Sequence, residues 1–442
     1  MKKWLAIAVM MVVACGWASP GGASRNGKPG DSKTPGDLKA GEGDESGTVT
    51  LDQLIQEALS HSPTIEAADH AAQARRARIV SETTLPDPVL SFQHMGDLIP
   101  PTLQEGDPSS GRTFGIEQEI PFPGKLALKG KIAESETEAE EWAAEEVRRR
   151  VVADLKEAYY EYGLVIKSRE IILKDQELLE TVAEVARARY AAGEGSQQEI
   201  LRAQLDLSRL QDRLAVLEQR RASVVALINS LAYRPAGSVL GMPVFPEAAP
   251  LVFSEEEVLR LALQNAASIQ KQERAIHRGE HAVDLARKEV YPDFSVGFSY
   301  VDRDSLPEMY GLMVSARLPL YFWRKQRPDL DSARLSLSAA KKQRDSETST
   351  VAYAVRNAHA AAFSSQKLIQ LYGTTILPQA RLTFETSLAS YQVGGADLRM
   401  VTENLSALLE VELKYTEAVA DFHKAMARLE TFTGSLGSGQ AR

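Results

Sequence analysis

The chain has little of what most extracellular or catalytic proteins depend on. It contains one cysteine, Cys15, among 442 residues, which excludes a disulfide framework. Its formal net charge of −9 argues against a nucleic-acid partner. After the N-terminal segment, no run is apolar and long enough for a membrane helix, so any membrane crossing must use β-strands. No phosphate-cradling glycine loop or nucleophile triad is present, and we therefore expect neither an enzyme nor a bound cofactor or metal.

The first segment has the pattern of an export signal. Residues 1–18 combine a lysine-containing start with a short apolar run. Cys15 follows Val-Val-Ala, as in the lipobox of lipoproteins, and is a candidate lipidation site. The alternative is an ordinary signal cleaved at Ala18 or Ala23. Residues 19–47 are rich in Gly, Pro, Ser and charge, which predicts a disordered spacer.

Two similar patterns then follow each other along the chain. Helical periodicity starts after Thr50 and again after Ser254, and both residues are good N-caps. Each helical region ends at a proline, where the period changes from helical to alternating. Alternation of apolar with small or polar side chains predicts two strands in each half, over residues 90–93, 114–120, 294–300 and 312–318.

Very long helical patterns come after each strand pair. They run from Leu126 to Tyr190 and from Gln326 to Tyr391, and each predicts a helix of about 100 Å at roughly 1.5 Å per residue. Both end in Tyr-x-x-Gly, with glycine where a left-handed helix cap is expected. The return helices have apolar residues at heptad spacing, which is typical of coiled coils.

Some side chains do not fit the apolar stripes. Arg221 and Glu412 interrupt the heptads, and we expect them to face solvent or another chain. The charged run from Glu145 to Arg150 is interpreted as a solvated face of the coiled coil.

The predicted fold class is mainly α with a small β part, duplicated along the chain. The organisation is a first repeat at 48–234, a linker at 235–250, a second repeat at 251–434 and a flexible tail at 435–442. Four strands per chain cannot close a barrel, so several chains must share one. Two chains would give eight strands, which side chains fill, and three would give twelve with room for a channel. A small soluble β-layer between helices is the alternative.

These features together resemble the TolC family of outer-membrane efflux proteins. The resemblance rests on the duplicated helix start (TLDQLIQEAL and FSEEEVLRLAL), the Pro-Asp strand starts, the proline-ended second strands and the paired Tyr-x-x-Gly tips, and it covers residues 48–434. The segment QEIPFPGKLALKGKIAE, residues 118–134, is most similar to members of heavy-metal efflux systems.

The resemblance implies a homotrimer in the outer membrane of a Gram-negative bacterium. Its lipid-embedded β-barrel would have twelve strands, and coiled-coil hairpins would form a long periplasmic α-barrel. The channel would be passive and gated, and a periplasmic adaptor (membrane fusion protein) and an inner-membrane pump would deliver the substrate, including heavy-metal cations.

The resemblance also implies roles for named residues. Adaptor docking would involve the tips, namely Tyr190, Gly193, Tyr391 and Gly394. In the family, acidic side chains ring the pore just past the second tip. The matching positions here are Met400 and Glu403, so only Glu403 keeps the acid, and Asp397 is an alternative nearby.

Other functions stay open from the sequence. The chain could instead serve type I protein secretion, or be a soluble periplasmic coiled-coil adaptor or scaffold. His277 and His281 match the H-x-x-E-H pattern of zinc peptidases, and His94 with Met95 could suggest copper. We interpret both residue pairs as surface features.

Overall fold

The computed structural model describes residues 47–246, 250–303 and 306–434. The predicted export signal with Cys15, the spacer up to residue 46 and the tail at 435–442 lie outside the described residues. None of the helices within the described ranges is both long and apolar enough to cross a membrane.

The elements follow the duplicated order predicted from the sequence. The helices are α1 Leu51–His61, α2 Pro63–Thr83, α3 Lys125–Ala191, α4 Gln197–Leu231, α5 Glu255–Asn265, α6 Ala267–Lys288, α7 Gln326–Leu371, α8 Leu377–Gln392 and α9 Leu398–Thr433. The strands are β1 Thr48–Val49, β2 Val89–Met95, β3 Asp97–Leu98, β4 Pro101–Thr102, β5 Gly111–Ile120, β6 Met242–Pro243, β7 Asp293–Asp302 and β8 Met309–Arg317.

Both repeats begin with the same cap. The Thr50 hydroxyl accepts from the Gln53 backbone N–H at 3.4 Å, and the Gln53 side chain accepts from the Thr50 N–H at 3.1 Å. Ser254 and Glu257 form the same reciprocal pair at 3.3 and 3.0 Å. The two predicted N-caps are confirmed, because each supplies an acceptor for donors that the first turn leaves unpaired.

The four long strands form one antiparallel sheet in the order β2–β5–β7–β8. Its register places Phe92, Phe114, Tyr300 and Tyr310 in one row across all four strands. Since side chains alternate between the faces of a sheet, this row belongs to one largely apolar face, and the opposite face carries mostly glycine, serine and charge, with a few apolar residues such as Met313. Within the described residues, β2 and β8 each have one edge without a partner strand.

The 67-residue helix α3 is the element around which the others pack. At about 1.5 Å per residue it is about 100 Å long. It contacts α2 and α4 of its own repeat, and α6 and α9 of the second repeat. Buried residues occur along its whole length, from Ala144 through Tyr162 to Ala186. The two repeats are therefore joined along one continuous helix.

The predicted heptad of α4 is its inward face. Ala203, Leu210, Val224 and Ile228 are buried, and the intervening positions are largely exposed. The expectation for Glu412 in α9 is wrong. Glu412 is buried inside the chain, and its Oε1 accepts from Arg381 Nη2 of α8 at 3.1 Å. A carboxylate is stable at this heptad position because a guanidinium reaches it from the neighbouring helix.

The interpretation of Glu145 to Arg150 as a solvated face is also wrong. Arg148 pairs with Asp69 of α2 at 3.1 Å, and Glu146 pairs with Lys271 of α6 at 2.8 Å. These half-buried charges join α3 to two neighbouring helices. Helical periodicity alone could not show this, since it does not identify the neighbours on the polar face.

The sequence predicts one continuous helix from Gln326 to Tyr391, but the structure interrupts it. A π-helical turn at Tyr372–Ile376 separates α7 from α8, and Leu377 N–H donates to the Tyr372 carbonyl. Pro378 follows directly. Proline has no N–H and its ring collides with the carbonyl four residues earlier, so a wider turn relieves the clash.

A buried lysine holds the sheet onto the helices. Lys125, the first residue of α3, has a side chain only 4% exposed, and its Nζ lies 2.9 Å from Asp293 Oδ1 at the start of β7. It also lies 3.2 Å from Glu289. Asp293 accepts in addition from the Phe122 N–H at 2.7 Å. The Pro-Asp strand start thus anchors the second repeat's strand β7 to the first repeat's long helix.

The linker between the repeats also belongs to the packed structure. β6 pairs in parallel with β1 at the chain's first described residues. The Tyr159 hydroxyl of α3 accepts from Val244 N–H at 2.9 Å and lies 3.1 Å from the Val49 carbonyl. One tyrosine therefore fastens both the linker and the N-terminal strand to α3.

Candidate gate at the hairpin tips

Both hairpin tips turn through a left-handed glycine. Gly193 has a φ of +75° and Gly394 of +79°. Glu194 N–H reaches the Arg189 carbonyl at 2.9 Å, and Gly395 N–H reaches Ser390 at 2.8 Å, which satisfies carbonyls at the helix ends. The predicted caps are confirmed. There is open space around both glycines, so the requirement for glycine comes from the backbone conformation.

The two tip tyrosines have different environments. Tyr190 is 49% exposed, whereas Tyr391 is fully buried. Sequence alone made them equivalent, because both precede their glycine by three residues. The ring of Tyr391 therefore offers no free surface within the chain, and of the two tyrosines only Tyr190 presents an exposed ring.

Residues of the first tip clamp Tyr391. Its hydroxyl donates to Glu199 Oε2 of α4 at 3.0 Å. Arg189 of α3 donates to the Tyr391 carbonyl at 2.9 Å, and its guanidinium carbon lies 4.7 Å from the ring centroid. We call Tyr391, Glu199 and Arg189 the tip latch. Nothing in the sequence pattern singled out Glu199 or Arg189, since the latch joins residues about 200 positions apart.

The chemistry of the latch keeps it intact at physiological pH. Burial, reinforced by the bond to Glu199, raises the pKa of Tyr391 to about 12. The phenol therefore keeps its proton and remains a donor to a carboxylate. A hydrogen bond to an ionised acceptor is stronger than one between neutral groups. The latch holds the second tip against the first.

The candidate constriction residues lie just beyond the second tip. Asp397 is the N-cap residue of α9 without a side-chain cap bond. Glu403 lies on the first turns of α9 with its side chain 56% exposed, and Arg399 Nε is 3.4 Å from its carboxylate. Met400, which lies between Asp397 and Glu403 in the sequence, is also exposed. The acid at 403 is thus accessible and partly neutralised by its own helix.

Glu403 lines a groove between the two return helices. The groove has a volume of about 840 Å³ and its floor is α3. Arginines predominate on the α4 wall (Arg202, Arg209, Arg213, Arg220), together with Asp206 and Asp212, and glutamates predominate on the α9 wall (Glu403, Glu410, Glu417), together with Lys414. Arg202 and Glu403 occupy equivalent places in the two repeats, as do Arg209 and Glu410. At these two positions the repeats carry opposite charges in one groove, whereas Arg213 and its equivalent Lys414 are both basic.

The His277–His281 and His94–Met95 pairs lie elsewhere. His277 and His281 belong to α6, and His277 Nδ1 is 3.3 Å from Glu280 on its own helix. His94 Nε2 donates to the Asp97 carbonyl at 3.1 Å. Across the described parts of the chain, no group of three or more His, Cys, Asp or Glu side chains has a metal-binding arrangement.

Comparison with solved structures shows the same fold in outer-membrane channels. Three such structures each align with 87% of this chain at 16–18% sequence identity. OprN matches over 90% of its chain with a TM-score of 0.74 and 16% identity, and CusC over 92% with 0.74 and 17%. VceC from Vibrio cholerae matches over 96% with 0.73 and 18%. No curated protein matches the sequence significantly.

The family follows from a match to the sequence itself. The profile of the outer membrane efflux protein family matches residues 54–232 and again 258–435, which are the two repeats. The resemblance to the TolC family drawn from the sequence is thereby confirmed, as is the mainly α fold. The chain belongs to the outer membrane efflux protein family.

Proposed function

We propose that three copies of this chain close head to tail into a passive, gated channel. An inner-membrane pump and a periplasmic adaptor would deliver the substrate, and the hairpin tips would form the gate. The observation that carries the proposal concerns the sheet and the packed helices. In the described residues, each has two open edges, one formed by the first repeat and the other by the second.

The sheet supports closure by further copies. β2 of the first repeat is one edge of the sheet and β8 of the second repeat is the other, and neither has a second partner in the described residues. Side chains such as Leu90, Leu312 and Val314 are exposed on these edge strands. An apolar sheet with open edges is not stable in lipid, since its backbone groups stay unpaired. Pairing of β8 with β2 of the next copy satisfies both edges.

The helices have the same arrangement. α3 and α9 lie between α4 on one side and α7–α8 on the other. Both outer helices leave apolar side chains exposed: Leu201, Leu205 and Leu227 on α4, and Leu335, Phe363 and Leu382 on α7–α8. A heterologous contact between unlike edges generates a ring when its rotation closes. Sheet and helices thus favour the same direction of assembly.

The polar face of the sheet supports three copies rather than two. In a ring this face would line the lumen, and it carries small side chains at many positions, including Gly115, Gly297, Gly311 and Ser299. An eight-stranded barrel is filled by its own side chains. Glycine and serine fill space poorly, which favours three chains and an open lumen of twelve strands.

The trimer prediction is tested on the purified full chain in detergent. Multi-angle light scattering should give the protein mass of three chains, and cell fractionation should place the protein in the outer membrane. A monomer in the soluble periplasm would instead favour the adaptor or scaffold alternative. A dimer would contradict the twelve-stranded barrel, although two chains could still share a barrel of eight strands.

We infer that the tip latch stabilises the closed channel. The latch ties the second tip to residues of the first, and separation of the hairpins would require both contacts of Tyr391 to break. Its location at the far end of α3, a helix about 100 Å long, means that a small rotation of the helices moves the tips substantially.

Replacement of Tyr391 by Phe is therefore expected to open the channel more often. The change removes only the hydroxyl, and the closed state should lose about 1–2 kcal/mol, a roughly five- to thirtyfold shift toward opening. Single-channel recording in planar bilayers measures this. The matched control is Tyr190→Phe, whose ring is exposed. Equal open probabilities for Tyr391→Phe and the unaltered protein would exclude the latch from gating.

Adaptor docking is proposed for the exposed parts of the tips. Val393 is 84% exposed and lies in the second tip, and Tyr190 is half exposed in the first. Gly193 and Gly394 shape these turns, while Tyr391 would support docking from inside. Exposed apolar side chains at the end of a long polar structure are typical of contact surfaces.

Replacement of Val393 by Asp should weaken binding of the cognate adaptor. A charge at the centre of an apolar contact costs about 2 kcal/mol or more, so we expect at least a roughly thirtyfold higher Kd by biolayer interferometry. Val80→Asp is the control, because Val80 is similarly exposed on α2. If both variants bind the adaptor as the unaltered channel does, the tips are not the docking surface.

We propose that Glu403 contributes to the pore constriction. Three copies near one axis would attract cations, and the pairing with Arg399 would moderate this attraction. Asp397 lies closer to the tip and is the second candidate. Cations are accordingly the substrate class that we favour, and the resemblance of residues 118–134 to heavy-metal systems supports this choice. Type I protein secretion is the alternative, and the class of the cognate pump distinguishes the two.

The two members of the Glu403–Arg399 pair should act in opposite directions. Glu403→Ala is expected to weaken block of the channel by divalent cations, and Arg399→Ala is expected to strengthen it. Current through planar bilayers, titrated with a divalent chloride, measures both. Glu385→Ala on α8 serves as an exposed control. Identical block in all variants would remove Glu403 from the constriction.

A further inference from the structure

A carboxylate without a partner lies in the middle of the packed helices. Asp175 of α3 is 1% exposed, and neither of its oxygens has a hydrogen-bond partner. Ile172 and Leu179, one turn to either side, belong to an apolar cluster with Leu408 and Leu409 of α9. An ionised carboxylate in such a place is costly unless it is paired, so the site favours a bound proton.

A second buried acid faces Asp175 from α9. The charge of Glu412 acts on Asp175 across the helix contact, and Glu412 is itself held by Arg381 of α8. Burial and then the charge of Glu412 raise the pKa of Asp175 to about 7, and Lys174 on its own helix opposes this. Arg381 is engaged by Glu412, and no cation donates a hydrogen bond to Asp175.

Other charges surround this region on two sides. One side is the groove that reaches Ile172, lined by Arg209, Asp212 and Arg213 of α4 and by Glu410 and Lys414 of α9. The other is a cavity of about 410 Å³ beside α8, reached by Lys167, Glu170 and Lys174 of α3 and by Tyr415 of α9. Several of these charges pair among themselves, such as Lys167 with Glu170 at 2.8 Å and Lys414 with Glu410 at 2.7 Å.

The π-helical turn at Tyr372–Ile376 contacts α9 one helical turn beyond Glu412. A Cβ on Gly373 would lie 3.4 Å from the Tyr415 ring, so the turn approaches α9 closely there. Tyr415 follows Glu412 by three residues, and Arg381 follows Pro378 by three. The ion pair between α8 and α9 therefore lies directly beside the place where the α7–α8 helix departs from regular geometry. Turns of this kind are often found at functional sites.

We propose that Asp175 is a proton switch that controls the second hairpin. With a proton on Asp175, α3 packs against α9 and the hairpin stays closed. Loss of that proton to solvent sets two carboxylates against each other, so that α9 with the Arg381 bridge moves away from α3 and the hairpin pivots at residues 372–376. The consequence for conduction rests on the channel function proposed above.

The direction of the pH effect follows from the chemistry. Asp175 binds its proton more tightly in the packed state than in water, so packing is favoured at acid pH and is lost as the pH rises through about 7. Below that value, each pH unit can change the packing equilibrium by up to about tenfold. The channel is therefore more closed in acid and opens more at alkaline pH.

The first test is the pH dependence of open probability in planar bilayers, from about pH 5.5 to about 8.5, a range that brackets the titration. The unaltered channel should open increasingly up to about pH 7 and change little above it, because both states have then lost the proton. Asp175→Asn, which imitates the protonated acid, should stay as closed as the unaltered protein in acid, without pH dependence. Glu412→Gln should move the midpoint to lower pH, because the repelling charge is gone. Asp212→Asn, an exposed acid on α4, should keep the unaltered profile.

A second measurement does not depend on conduction. Amide hydrogen exchange at residues 372–376 and in the facing part of α9, corrected for intrinsic rates, should be faster at pH 8 than at pH 6 in the unaltered protein and equal in Asp175→Asn. If this difference is found in a protein that does not conduct, the switch stands and the channel proposal fails. If Asp175→Asn keeps the unaltered pH dependence of exchange, the switch is overturned.

Discussion

The burial of one very long helix constrains everything else in this chain. A helix of about 100 Å cannot cover its own apolar surface, and an isolated helix gains little stability from its backbone. α3 solves this by packing against α2, α4, α6 and α9, which come from both repeats. The second repeat is therefore required to bury the first. Duplication supplies helices of matching length, because the helices of the second repeat extend over the same distance as α3.

Charges then give this apolar packing a definite register. The Arg428 guanidinium of α9 makes two bonds to Glu157 of α3, at 2.7 and 2.8 Å, and Lys424 reaches Glu161 at 2.5 Å. At the sheet end, Lys125 joins α3 to Asp293. Heptad packing alone tolerates a shift by one repeat, whereas paired charges at fixed positions do not. The register carries the geometry of the sheet down to the tips.

The functional roles that we propose lie where the two repeats differ. Tyr391 is buried and clamped, while its counterpart Tyr190 is exposed. Glu403 stands where the first repeat has Arg202, and the two line the same groove. The second hairpin also has the π-helical turn, for which no counterpart interrupts α3. In the gated channel that we propose, a symmetric pair of hairpins would open and close alike, and these differences would give the second hairpin its own latch, its own hinge and its own acids.

The sequence by itself determined the repeat, the element types and the tips. Proline switches, heptad stripes and capping residues such as Thr50 and Ser254 act within a few residues, so local periodicity reports them directly. Only the tertiary structure decided which polar side chains meet. The Glu199–Tyr391 contact, the Glu412–Arg381 bridge and the isolation of Asp175 depend on which helices become neighbours. A charge on a helical wheel looks solvated until the packing of the other helices shows whether water or another side chain faces it.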